Sequence, residues 1–259
     1  MKIITLYQGY LVVFMLVFLR FTPWLVLNSI PINRYIPIRV KVVFSGVISV
    51  LIASVVIPDL SEKEINYFSD VTSVALVKIA LLELLTGFSI ALIFYMISFF
   101  ISITGKMWDY PHGFATLNAF NPGQNELISI YSKVFLVMFV FVFFKLNLHH
   151  DVLLIFIHSI SEIPLGMGGF FIGLDDYLYL IGRMSFFAFV LSFPIFVALF
   201  AFDLMSAYMV KAHPGFNIYF ISLPVRVFLG LLVFYYSFPF LINSFEEIYA
   251  SFFLGIFDV

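Results

Sequence analysis

The groups in this sequence best placed to do chemistry are ionisable side chains set inside long apolar stretches. They are Arg20, Lys78, Glu83, Arg183, Asp203, Lys211 and Arg226. At the centre of a lipid-exposed helix each such charge costs about 2.5–3.5 kcal/mol. Such groups therefore face a protein interior, a water-filled path or the membrane interface. Two readings stand side by side. In one, the charges line a conduit or pair across subunits, and Arg20, Glu83, Asp203 and Lys211 are the candidates. In the other, long side chains snorkel to the interface from near helix ends, which suits Arg183 and Arg226. Lys78 and Glu83 lie five positions apart, off the best helical pairing distance, and Asp203 and Lys211 lie eight apart, too far for contact along one helix.

Other chemistry is thinly represented. His149, His150 and Asp151 form the only histidine-rich cluster. Tandem histidines at the end of a segment are more often an interfacial loop than a metal site. His158 and Glu162 have i,i+4 spacing and fit a local pair on one helix face. No phosphate-binding G-x-x-x-x-G-K-[ST], no H-E-x-x-H and no G-x-S-x-G occurs. The chain has no cysteine, which excludes disulfides and thiolate-held zinc or iron–sulfur sites. No catalytic residue, cofactor or metal is expected. With a net charge of −2, nothing speaks for nucleic acid.

The elements that hold these residues must be membrane helices. Of the 259 residues, 63% are hydrophobic and only 11% are charged, against about 25% charged in ordinary soluble domains. The 13 basic and 15 acidic residues cannot cover a core of this size. The apolar excess must face lipid, other subunits, or both. Apolar stretches run roughly over 3–30, 42–58, 71–104, 127–148, 152–172, 177–210 and 216–257. Against the ~20 residues needed to cross a bilayer, some are too long for one straight span and two are short. They amount to about six hydropathy peaks, and the fold class is an all-α membrane protein, treated as one unit over residues 1–259.

The first 27 residues carry one lysine before a long apolar run and lack a small-x-small cleavage site, so they read as the first membrane segment and not as a signal peptide. The connecting segments are a proline-bracketed PINRYIP (31–37) and an acidic PDLSEKE (58–64), in which Ser61 and Glu64 fit a capping box. Shorter breaks fall at 147–151 and 166–176, and the stretch 105–125 is the longest one rich in loop-forming residues. Prolines 194, 214, 224 and 239 are expected to kink or end helices. Gly169 and Gly173 form a G-x-x-x-G that would let helices approach closely. Basic Arg34, Arg39 and Lys41 followed by an acidic second loop place the first loop on the cytoplasmic side.

Residues 105–123 read GKMWDYPHGFATLNAFNPG. Irregular backbone at membrane depth is tolerated only where protein buries it or water reaches it. Met107, Trp108, Phe114 and Phe120 make this segment too apolar for a solvent loop. Here the sequence resembles the FliR/SctT family, the export-gate subunit of flagellar and type III secretion systems. That family carries G-x-x-x-D-x-Q-x-G-[FL] followed by D-P. Gly105, Asp109, Gly113 and Phe114 match it; Asn121-Pro122 stands where D-P is usual, and Pro111 replaces the glutamine. A second element, R-x-x-P-Q-x-N-[IV]-F, aligns with KAHPGFNIYF, placing Lys211, Pro214, Asn217, Ile218 and Tyr219 at pattern positions and Gly215 at the glutamine. Arg20 with Pro23, the run IPIRVK (36–41), Glu83 with Gly87, and ISEIP (160–164) resemble further elements in the same order.

The resemblance covers nearly the whole chain and implies a good deal more. It implies tilted, kinked helical hairpins that resemble a fusion of FliP-like and FliQ-like subunits. It implies an export-gate subunit that lines, with FliP-type and FliQ-type partners, a conduit for unfolded flagellar proteins. FlhB-type switch and FlhA-type export subunits are further implied partners, and the place is the bacterial inner membrane at the flagellar basal body. It implies that Gly105, Met107, Trp108, Asp109, His112, Gly113, Phe114, Phe120, Asn121 and Pro122 form a plug in the closed conduit. The alternatives are an injectisome export gate, a small secondary transporter or channel using the same buried charges, and, third, a membrane enzyme.

Overall fold

The structure is a computed structural model that describes residues 2–27, 36–59, 65, 72–112, 129–170, 173–213 and 218–257. These residues give seven α-helices: α1 (Lys2–Val26), α2 (Ile38–Val56), α3 (Ser73–His112), α4 (Ile130–Lys145), α5 (Leu148–Glu162), α6 (Leu174–Ala212) and α7 (Ile218–Phe257). Each falls on one of the seven apolar stretches. The reason is elementary: without water to satisfy backbone N–H and C=O groups, an apolar segment closes its own hydrogen bonds as a helix. Five helices are long and apolar enough to cross a membrane, and the α4–α5 pair, bent by 72°, makes a sixth crossing if it acts as one broken span. The all-α membrane fold is therefore what the sequence implies.

The break between α4 and α5 has a local cause. Asn147 adopts φ 57°, ψ 26°, the left-handed conformation. Asparagine tolerates it better than most residues because its short amide bonds locally.

Three helices are far longer than a bilayer requires. α3 and α7 have 40 residues and α6 has 39, so each measures about 60 Å at 1.5 Å per residue, twice the ~30 Å hydrocarbon layer. Of the prolines expected to kink or end helices, the described ones do not end them. Pro194 lies inside α6, Pro224 and Pro239 inside α7, since neighbouring turns in an apolar setting continue the helix around the single missing bond. Pro214 falls outside the described residues, as do Ser61 and Glu64 of the expected capping box.

The chain divides into two compact units, one of Met1–Ser98 with Phe143–Leu180, the other of Phe99–Val142 with Ile181–Val259. In the first unit α1 packs along α2. Its core is a ring cluster of Phe21, Trp24, Phe94 and Phe156, with centroids 4.8–6.3 Å apart. In the second unit Trp108, Tyr131, Phe135 and Phe234 form a comparable cluster, which Phe245 joins through Phe135. Glycines allow closest approach inside each unit. A methyl group at Gly87 would overlap the Arg20 carbonyl, and one at Gly105 would overlap the Ser132 backbone.

Candidate functional site

The segment expected to be a loop begins as helix. α3 runs without interruption through Gly105, Met107, Trp108 and Asp109 to His112. Pro111 stands inside the last turn of α3 and leaves the Met107 carbonyl without its helical N–H partner. Gly113, Phe114, Phe120, Asn121 and Pro122 lie outside the described residues. What the structure defines is how the near end of this segment is held.

It is held tightly. Trp108 is completely buried, and its Nε1–H donates to the Leu191 carbonyl at 3.1 Å. His112, also fully buried, donates from Nδ1 to the Trp108 carbonyl at 2.6 Å, and its Nε2 lies 3.1 Å from the Tyr131 hydroxyl. Because a carbonyl can only accept, Nδ1 is a protonated nitrogen. Gly230 gives the His112 ring its room, since any Cβ there would strike the imidazole.

Asp109 performs a different task. One of its carboxylate oxygens accepts the Tyr131 backbone N–H at 3.3 Å, and the other accepts the Ser129 hydroxyl. Ser129 in turn accepts the Ser132 N–H at 3.2 Å. Ser129 is thus the N-cap of α4, and Asp109 reaches across from α3 to take the neighbouring orphan amide. The first amides of any helix lack intrahelical acceptors, and at membrane depth each unmet one costs several kcal/mol. Ser102 and Ser132 join their hydroxyls at 2.7 Å on the same seam. The end of α3 and the start of α4 are pinned to each other, and residues 113–128 connect those two pinned ends. Ser129 and Tyr131 were not anticipated; a serine just ahead of an apolar helix was the available signal.

The first unit contains a second polar construction. Arg20 and Glu83 are 1% and 0% exposed and form a two-pronged pair, Nε–Oε2 at 2.5 Å and Nη2–Oε1 at 3.0 Å. The remaining guanidinium protons go to the Ser159 carbonyl (2.8 Å) and the Ile163 carbonyl (3.0 Å). Glu83 Oε1 also accepts the Gly166 N–H at 2.8 Å. One turn further along α3, Thr86 accepts the Gly169 N–H at 2.9 Å. The pair therefore ties α1, α3 and the end of α5 to the turn that follows it, where Gly166 takes a positive φ of 91°. Glu83, a candidate inter-subunit or buried charge, has a partner within the chain: Arg20, fully desolvated with it. Sequence spacing could not show it, because 63 residues separate the two.

Asp203 also has a partner in the chain, and it is not Lys211. Arg226 Nη2 lies 2.5 Å from Asp203 Oδ1 in the second unit, and both groups are partly exposed. Arg226, expected to reach the interface, pairs with Asp203 while staying partly exposed. Lys211 is exposed near the end of α6. His158 and Glu162 lie 3.7 Å apart on the exposed face of α5. Pro214 and Asn217 lie outside the described residues, and Ile218 and Tyr219 open α7. Gly169 and Gly173 are not helical, so their G-x-x-x-G cannot work as a helix-packing motif.

The sequence profile of bacterial export proteins, family 1, matches residues 11–252. The chain belongs to this family. Two curated relatives carry the name flagellar biosynthetic protein FliR. The one from Buchnera aphidicola is 25% identical over 220 residues, covering 84% of this chain and 80% of the relative. The one from Bacillus subtilis is 25% identical over 230 residues, covering 85% and 83%. The FliR/SctT resemblance read from ordered motifs is thus met by a match across most of the chain. The glutamine positions of the motifs are the points of departure: Pro111 lies inside the last turn of α3, and Gly215 lies outside the described residues.

Proposed function

We propose that this chain is a subunit of the bacterial flagellar type III protein export gate. In this reading it forms, with FliP-type and FliQ-type subunits, the conduit by which unfolded flagellar proteins cross the inner membrane. FlhB-type and FlhA-type subunits complete the apparatus, and export energy comes from those partners and the proton gradient. The match to the FliR relatives across most of the chain supports the reading. So does the amount of apolar surface left over: only 11% of the most apolar window of α7 is buried within the chain, which suits a subunit surrounded by others.

The observation that carries the mechanism is the pinned pair of helix ends. A segment that closes a conduit needs fixed anchors. Trp108, Asp109, His112, Ser129 and Tyr131 supply anchors, and residues 113–122 supply the closing part, with Phe114 and Phe120 as its apolar seal. The plug reading thereby becomes narrower: Gly105, Met107, Trp108, Asp109 and His112 belong to the anchor. The polar groups gathered there cap a helix and fill a core, and the role proposed is positional, with no catalytic cycle.

The test is purification of the tagged 259-residue chain from its native cells in mild detergent, followed by mass spectrometry of the accompanying proteins. Stoichiometric FliP-type and FliQ-type subunits support the export-gate reading. A lone, monodisperse chain that transports small solutes after reconstitution defeats it.

A further inference from the structure

In the second unit the end of α3 is gripped by both α6 and α7. On α6 the Leu191 carbonyl accepts the Trp108 Nε1–H. On α7 the bare backbone of Gly230 makes room for the His112 ring, whose Nε2, Cδ2 and Cε1 overlap the place a Cβ would take. Phe234, one turn further along α7, lies against Trp108 and Tyr131, with ring centroids 5.9 and 5.6 Å apart. Glycine weakens a helix interior, and here the space it leaves is filled by a ring that is itself fixed. The imidazole is bonded to the Trp108 carbonyl and lies 3.1 Å from the Tyr131 hydroxyl. Backbone on one side and a bonded ring on the other leave neither partner room to give.

Beyond these contacts the two helices leave the core. Leu199 is the last buried residue of α6, and Gly230 is the first buried residue among those described on α7. Over 200–213 and 221–229 no described residue is buried within the chain. The two stretches are braced to each other by Arg226 and Asp203, 2.5 Å apart. Arg226, Gly230 and Phe234 follow at four-residue steps and share one face of α7. Asp203, Leu199, Ile195 and Leu191 form a ridge of the same step along α6. The brace thus stands about 6 Å from Gly230 along α7 and about 18 Å from Leu191 along α6. Both helices run from the brace to the residues that hold the end of α3.

We propose that these outer stretches of α6 and α7 form a lever arm that pivots at Gly230 and passes its displacement to His112 and Trp108. Gly230 is a positioning residue in this device. It sets the register of α7 against α3, and a tilt of α7 toward α3 at this point must move the imidazole. Packed contacts of this kind shift as units and do not deform smoothly. The arm therefore acts on the anchor next to residue 113, where the closing segment begins. What that does to a conduit rests on the export-gate reading; the coupling itself lies within the second unit and is tested on the chain alone.

The chain has two tryptophans, Trp24 and Trp108. In the detergent-purified Trp24→Phe chain, emission and acrylamide quenching therefore report on Trp108 alone. Gly230→Ala should shift that emission to longer wavelength and raise quenching, because the anchor is forced apart. In a His112→Ala background, where the ring is gone, Gly230→Ala should add no further shift. Asp203→Arg sets two cations across the brace and should also shift Trp108 emission, from a position that does not touch it. Exchanging the charges, Asp203→Arg with Arg226→Asp, should restore the parent emission. Asp203 is partly exposed, so this pair of variants keeps the test open if Gly230→Ala does not fold, and circular dichroism shows which variants are folded. Unchanged Trp108 emission in folded Asp203→Arg overturns the lever. An undiminished Gly230→Ala shift in the His112→Ala background overturns the pivot.

Discussion

Replacing Glu83 with leucine strands a guanidinium in the core of the first unit. Arg20 is 1% exposed, loses both carboxylate contacts and keeps the Ser159 and Ile163 carbonyls and a long contact to the Ser159 hydroxyl, none of them charged. Breaking a buried pair from one side costs about 3–5 kcal/mol, and the Gly166 N–H loses its acceptor too, for about 1–3 kcal/mol more. At roughly 2–4 °C per kcal/mol for a chain of this size, the Glu83→Leu variant should unfold at least about 10 °C lower. The diagnostic variant is the double substitution Arg20→Met with Glu83→Leu. It leaves no buried charge, only the Gly166 amide and one Ile163 carbonyl unmet, because the Ser159 carbonyl also accepts the Ile163 N–H at 3.0 Å. The double variant should therefore be more stable than Glu83→Leu alone, by about 1–3 kcal/mol. The assay is thermal unfolding of the detergent-purified chain, followed by circular dichroism at 222 nm. If the two single effects simply add, the argument from an uncompensated charge is wrong and the two groups act separately.

Gly87→Ala should destabilise the first unit by about 1–3 kcal/mol, the range for forced overpacking, since its methyl meets the Arg20 backbone; the same unfolding assay reads it. Ser129→Ala should cost about 0.5–2 kcal/mol as the loss of the α4 N-cap, and Ser129→Asn should recover most of it. Deleting residues 114–121 should leave the anchors and the assembly intact while making the cell membrane leaky to small ions, measured as potassium efflux. Unchanged efflux from an otherwise assembled gate would sink the plug reading.

How far the sequence could be read varies with the range of the interaction. The helices follow from local composition, and every apolar stretch became one. Termination was harder. Gly105, Pro111 and the polar residues between them look like a loop, yet Gly105 is small because the Ser132 backbone presses on it and Asp109 is polar because α4 needs a cap. Both reasons lie on another helix. The charges show the same limit. Arg20 and Glu83 could each be recognised as too costly to leave in lipid, but the partner of each was set by packing 63 residues away. Asp203 found Arg226 and not the nearer Lys211 for the same reason. Of the anchor residues, Ser129 offers only the weak signal of a serine ahead of an apolar run, and Tyr131 offers none. Their role exists only once α3 and α4 lie side by side.

The network around Arg20 also has a consequence in time. A growing chain emerges at about 5–20 residues per second, and the partners of Arg20 arrive in stages. Glu83 follows Arg20 by 63 residues, about 3–13 s. The Gly166 amide follows Glu83 by a further 83 residues, about 4–17 s. During synthesis the arginine enters an apolar setting first as a lone cation, then as a neutral pair, and only at the end as a fully satisfied junction. The order of translation thus makes the carboxylate available to Arg20 before the last backbone partners exist. A slow or blocked insertion of α3 would leave Arg20 as the exposed mark of an unfinished chain.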